Sequence, residues 1–326
     1  MMKRLIPLFT AFVTLSAAGQ PAWADGYVFV RSIGGSGQFA LPCSVAADSA
    51  GDVWVADCDN NRLVELNSSG QSLRTVATLE YPESVRLDPS GNVWVACAGG
   101  NAVEEFSGTG TYRGQFGSYG TGDGYLDWPD GVAVDKLGDV FVANSYSNTV
   151  QVFNTGGQWQ RTIATLGTAK PGCVSSPANL ALDAAGNVWI ADQQNDRIEG
   201  LTSSGGFIAS LNGSNVAVKN WLGLPAGVTV DSRGNIWVAD TNNNRIVEFN
   251  SSGTYLTQFG SLGTGNGEFN WPYDVALDPS GNVWVVDQQN NRIEEFAPAP
   301  EPSTLALLGV GAAALIGYRW RQKRAK

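Results

Sequence analysis

Histidine occurs nowhere in the 326 residues of the chain. Its absence removes imidazole general acid–base catalysis, Ser–His and Cys–His nucleophile pairs, and His-ligated zinc together. Charge is also sparse: Asp, Glu, Lys and Arg make up 15% of residues, against 43% hydrophobic. Disorder needs the opposite balance, so a sizeable core is feasible. No glycine-rich loop follows a strand and opens a helix, which leaves nucleotide use without support. Positive charge is scarcest in the middle. Seven of the 20 basic residues and no acidic ones lie in residues 1–24 and from Ser303 onward, so a net charge of −10 becomes −17 for the stretch between them. That body repels phosphate backbones, and nucleic acid is not an expected partner. Multivalent cations, basic proteins and neutral glycans suit it better. What is plentiful is glycine, 40 residues without a triplet period, which points to an all-β chain with many tight turns.

The ends read as addresses. Residues 1–24 have a basic start at Lys3 and Arg4, an apolar run from Leu5 to Ala18, and Ala22-Trp23-Ala24 for cleavage; this is the pattern of a signal peptide. Residues 299–326 contain Pro300-Glu301-Pro302-Ser303, an apolar run Thr304–Tyr318, and then Arg319, Arg321, Lys323, Arg324 and Lys326. That run is a short transmembrane segment against the roughly 20 residues that span a bilayer. Its basic end would stay on the cytoplasmic side. The order resembles the PEP-CTERM sorting signal. The resemblance implies recognition by an exosortase, cleavage near Pro300–Pro302, transient anchoring in the inner membrane through this segment alone, and delivery to the cell surface or exopolysaccharide matrix. An ordinary C-terminal anchor is the alternative.

Between the ends, residues 25–298 repeat. Copies begin at Pro42, Pro82, Pro129, Pro177, Pro225 and Pro272, at spacings of 40, 47, 48, 48 and 47 residues. The cleanest runs from Leu224 to Phe249: a short strand GVTVD, the turn Ser-Arg-Gly-Asn, the alternating strand IWVAD, an Asn turn, then RIVEF. A weaker fourth strand follows, as in Thr254–Gly260. No copy shows helical periodicity, so helical solenoids are excluded. Four antiparallel strands, six times over, predict an all-β, six-bladed propeller. Tyr27–Gly34 precedes the first copy and reads as a fourth strand, whereas the sixth copy stops at Phe296 without one. The N-terminal strand is therefore expected to complete the last blade and close the ring. The recurring Gly-Val-x-Val-Asp, Gly-Asn-Val-Trp-Val-Ala-Asp and Asn-Asn-Arg-Ile resemble the NHL repeat across Leu41–Phe296.

Residues repeated in every blade argue for structure. Trp54, Trp94, Trp189, Trp237 and Trp284, with Phe141 in blade three, are expected to pack blade on blade. Asp48, Asp88, Asp135, Asp183, Asp231 and Asp278 precede the first hairpin turn, where carboxylates accept backbone hydrogen bonds. Asp57, Asp192, Asp240 and Asp287 can pair with Arg62, Arg197, Arg245 and Arg292.

Residues that break the repeat carry the functional reading. Cys43, Cys58, Cys97 and Cys173 all fall on the face bearing the strand two–three loops. Cys43 with Cys58 is the leading disulfide, Cys97 with Cys173 is open as a second, and a thiolate metal site is the alternative. Glu83, Asp130, Asn179 and Asp274 follow the repeat prolines and form a candidate calcium ring at the channel mouth, loosely similar to that of six-bladed lactonases and phosphotriesterases, whose surrounding motifs are missing. No other cofactor is expected. Tyr81, Trp128, Trp271 and Tyr273 flank those prolines and can stack on a sugar or peptide, or plug gaps between blades. Gly120–Asp127 and Gly263–Asn270 read as structural turns. The amidating and streptogramin lyases, propellers similar to this fold, depend on histidine, so their activity is not carried over.

The leading expectation is a monomeric surface or matrix module that binds a protein or glycan without turnover. The alternative is a calcium-dependent lactonase or hydrolase acting through the channel carboxylates. A third reading, a purely structural spacer, predicts neither partner nor ligand.

Overall fold

A computed structural model describes residues 26–299, apart from positions 36, 78, 169 and 213–221. The expected signal peptide at 1–24 and the sorting segment from Pro300 onward lie outside the described residues. Among the described residues no helix is long and apolar enough to cross a membrane.

Six antiparallel sheets form the body. Blade five shows how each arises. Gly227–Val230, Ile236–Asp240, Arg245–Phe249 and Tyr255–Phe259 pair in order, with Thr229 opposite Trp237 and Trp237 opposite Glu248. β-Branched and aromatic residues fill the middle strand, where a pleated, fully buried surface favours them. The first strands of neighbouring blades pack side by side around the central axis. Blade three adds a two-residue fifth strand, Cys173–Val174, parallel to Thr165–Leu166.

The ring closes as expected. Tyr27–Gly34 pairs antiparallel with Arg292–Pro298, from Tyr27 opposite Pro298 to Gly34 opposite Arg292, and completes the sheet of blade six. No blade is left with an open outer edge from a missing strand.

The repeated residues hold the blades together. The tryptophans and Phe141 are at most 4% exposed. Each joins the core of the next blade: Trp54 packs with Val85 and Val95, Trp237 with Val275 and Val285, and Trp284 with Val45 and Val55. Burial of such rings is worth on the order of 5 kcal/mol each before ordering costs. The strand-ending aspartates meet their arginines at 2.6–2.7 Å in four blades. Each hairpin aspartate accepts backbone N–H groups two and four residues ahead, as Asp231 does from Arg233 and Asn235. Gly120–Asp127 and Gly263–Asn270 are turns pinned from below: Gln151 Oε1 accepts from Gly124 N, and Glu294 Oε2 from Gly267 N.

Candidate functional site

Every first strand starts at one face of the ring, and the connections between second and third strands lie on the same face. A backbone clamp shapes that face. The residue before each repeat proline is held at positive φ: Leu41, Tyr81, Trp128, Ser176, Leu224 and Trp271 lie between 44° and 64°. A side-chain oxygen of the preceding blade fixes each one. Asn61 accepts from Tyr81 N at 2.9 Å, Asn101 from Trp128 N at 3.0 Å, and Asn291 of blade six from Leu41 N at 2.8 Å. Left-handed backbone is unusual for bulky residues, but its recurrence in all six blades makes it architecture. The side chains mounted on it differ from blade to blade.

Two of those side chains build an aromatic row. The Trp128 ring lies 5.8 Å from Tyr81 and stacks on Tyr146 at 5.1 Å with planes 10° apart. Tyr146 is 63% exposed and sits in the strand two–three turn of blade three, where its N–H bonds Asp127 O. The sequence reading missed Tyr146, although it stands where most blades carry a polar residue. Trp271 and Tyr273 lie outside this row. Tyr273 instead belongs to the polar mouth of the channel.

The expected carboxylate ring divides into two groups. Glu83 and Asp130 are the first residues after their prolines, and Asn179 and Asp274 the second; bulges at the strand starts re-aim these side chains. Asp274, fully buried, accepts from Arg86 Nη1 and Nη2 at 2.9 and 3.0 Å, Ser44 Oγ at 2.6 Å, Asn179 Nδ2 at 3.1 Å and Val45 N at 3.1 Å. This network ties blades one, two, four and six across the channel. Arg86 was overlooked in the sequence, although the equivalent positions are Ala46, Ala133, Ala181, Thr229 and Ala276. A calcium ion on all four expected ligands would have to displace that arginine, so the four-residue set does not fit one ion.

Glu83 and Asp130 form the second group. Burial, then the Asp130 and Asp59 charges, push the Glu83 carboxyl well above the usual range. Burial moves Asp130 up to about 7, opposed by a hydrogen bond from Ser145. Glu83 Oε2 and Asp130 Oδ1 are buried without hydrogen-bond partners. Tyr81 is pushed up to about 12, first by burial and then by Glu83. Tyr273 is raised by burial, Glu83 and Asp130. Four acidic groups thus crowd one mouth, and burial is the largest cause of each shift.

Cys43 and Cys58 form a disulfide with Cα atoms 6.0 Å apart, the pairing expected. Cys97 and Cys173 are free thiols, so the second bridge left open in the sequence is not made. Cys97 is buried beside Glu104, and burial raises its thiol. On the opposite face, a cavity of about 590 Å³ is lined by Tyr27, Asp48, Asp231, Arg233, Asp278 and Pro298. Its aspartates are engaged in their own hairpin turns.

Three segments, residues 39–66, 126–153 and 222–249, match the NHL repeat. The chain is a six-bladed β-propeller that carries NHL repeats. Its residues 298–324 match the PEP-CTERM protein-sorting motif, which marks export by a membrane-anchored, exosortase-processed route. No curated protein matches the chain in sequence. Among solved structures it is similar to virginiamycin B lyase from Staphylococcus aureus, at 16% identity and a TM-score of 0.59, covering 83% of this chain and 99% of that one. It is also similar to a gluconolactonase of Xanthomonas campestris, at 12% identity and a TM-score of 0.63, covering 83% and 99%. A protein of unknown function from Bacteroides thetaiotaomicron aligns at 17% identity with a TM-score of 0.67, covering 84% and 76%. At such identities the likeness concerns the fold alone.

Proposed function

We propose that the NHL propeller is an exported, monomeric, non-catalytic binding module that takes a neutral polysaccharide on its proline-bearing face. The observation that carries this is the stack of Trp128 on the exposed Tyr146 ring, extended by Tyr81. The stacked pair, with the Tyr81 ring tilted 47° to Trp128, offers apolar ring surface to sugars at little ordering cost, because aromatic side chains have few rotatable bonds. The acidic body disfavours polyanions. The sorting motif supports delivery to the cell surface, where a matrix polysaccharide is at hand. Within this reading residues 1–24 are removed on export and the chain is cut near Pro300–Pro302.

Affinity electrophoresis of the chain in neutral exopolysaccharide tests it. Tyr146→Ala, in an exposed loop, should weaken retention about tenfold, the loss of roughly 1.4 kcal/mol at a contact hot spot. Unchanged retention in Tyr146→Ala and Trp128→Ala would refute the glycan reading. Capture of a matrix protein that these variants lose would support polypeptide as the ligand instead.

A second reading has one observation in its favour. Glu83, buried, and Asp130, half-buried, each hold a buried, unpartnered carboxylate oxygen at a channel mouth, an arrangement suited to general acid chemistry or to a calcium ion in a lactonase-like hydrolase. Calorimetric titration with Ca²⁺, with Glu83→Ala and Asp274→Ala as controls, separates the two readings. Heat lost in Glu83→Ala, together with lactone turnover, would favour the enzyme.

A further inference from the structure

The Cys43–Cys58 pair lies where a disulfide is not its only use. A carboxylate oxygen of Glu83 and the two sulfurs all lie within 4.8 Å of one another. All three side chains are at least nine-tenths buried. The Glu83 Oε2 atom has no hydrogen-bond partner there, a costly condition for a buried carboxyl oxygen. Strand pairing fixes the backbone path on both sides of the pair. Cys43 opens the first strand of blade one, Cys58 begins the turn after its second strand, and the register sets Pro42 opposite Asp57. Glu83 enters from blade two on a clamped strand start. Two sulfurs and one oxygen, held by three separate chain segments, make a ligand set of borderline-soft character.

We infer that the reduced form of the NHL propeller holds a thiophilic divalent cation, zinc by its ligand chemistry, on Cys43, Cys58 and Glu83, and that the disulfide is the closed form of this site. Zinc takes thiolate and carboxylate ligands at about 2.3 and 2.0–2.2 Å. Tetrahedral binding would therefore separate the sulfurs to about 3.8 Å. Side-chain rotation can supply this without moving the strands, since Cα atoms 6.0 Å apart suit either state. Three protein ligands leave a fourth position for water or an external donor. The chemistry balances with a dithiol as reductant. The S–S bond takes two electrons and two protons, the dithiol becomes a disulfide, and the cation then displaces both thiol protons. The inference stands apart from the aromatic row and does not depend on the glycan reading.

Cobalt reports the site directly. The full-length chain, purified in mild detergent, is titrated with Co²⁺ before and after phosphine reduction. The reduced chain should bind one equivalent, with a thiolate-to-cobalt charge-transfer band that Zn²⁺ bleaches; the oxidised chain should show none. The Cys97→Ser/Cys173→Ser double variant should keep the band, and Cys43→Ser should lose it. Glu83→Gln should weaken binding about tenfold or more, at least the cost of losing an outer-shell partner. Absence of the band in a reduced chain that retains its β-sheet circular dichroism overturns the inference, as does a band surviving in Cys43→Ser/Cys58→Ser. Where reduction unfolds the chain, Zn²⁺ should restore the spectrum, and failure to do so counts equally against the site.

Discussion

The Asp130 carboxyl gives the sharpest test of how the channel mouth is built. Burial raises it from 3.8 to about 7, with Glu83 as its acidic neighbour. A folded-state value above the unfolded one means that the native protein holds the proton longer. The associated stability is fully present below about pH 4 and is lost as pH climbs through 7. Between pH 5 and pH 8 about two pH units of that window are crossed, a ceiling of about 2.7 kcal/mol at 1.36 kcal/mol per unit. Because Glu83 shares the burden, about half of it, roughly 1–1.5 kcal/mol, should be recovered by Asp130→Asn. The amide keeps the shape and the bond to Ser145 while removing the ionisation. For a domain of this size that is roughly 2–3 °C in melting temperature. Thermal melts of both proteins at pH 5 and pH 8 are the assay. Other buried carboxylates, such as Glu294, raised to about 8 mainly by burial, also tilt the wild-type curve in the same direction. The quantity to compare is therefore the difference between the two slopes. Equal slopes, or a variant that loses more stability on alkalinisation than the wild type, would refute the assignment of an uncompensated acid at that position.

Arg86→Met should cost about 3–5 kcal/mol in urea unfolding, because it strands the Asp274 charge at 0% exposure. Adding Asp274→Asn to that variant should recover part of the loss; no recovery would mean that Arg86 acts through packing alone. Gly34→Ala should destabilise the closing hairpin by about 2–3 kcal/mol. Its φ is +109°, and an added Cβ would lie 2.9 Å from Asn291 O. Hydrogen exchange should localise the damage to residues 27–34; uniform exchange across all blades would contradict a local clasp.

The architecture was legible because it is written six times. A motif such as IWVAD needs only alternation and β-branching to declare a strand, and the orphan strand at Tyr27 could be matched to the blade lacking one. The Cys43–Cys58 bridge was legible for the same reason, since hairpin register sets the two segments opposite each other. The site was less so. Counting from each proline placed Glu83, Asp130, Asn179 and Asp274 on one rim, but offsets of one and two residues across a bulge send side chains different ways. Arg86 decides the fate of Asp274 from four residues beyond its proline, a reach that composition does not show. Tyr146 lies 18 residues from Trp128 in sequence, and only the fold stacks their rings.

The clasp also settles which way the molecule can face. Its two ribbons finish together: Tyr27 lies opposite Pro298, and Gly26 O accepts from Ala299 N at 2.6 Å. Both ends of the body thus leave from a single spot on the hairpin-aspartate side, beside Asp231 and Asp278. Were the protein moored by either end, it would hang like a lamp from a cord, its stacked rings turned outward and its mooring behind it. Severing that cord at the sorting motif would free the lamp without touching what it shows.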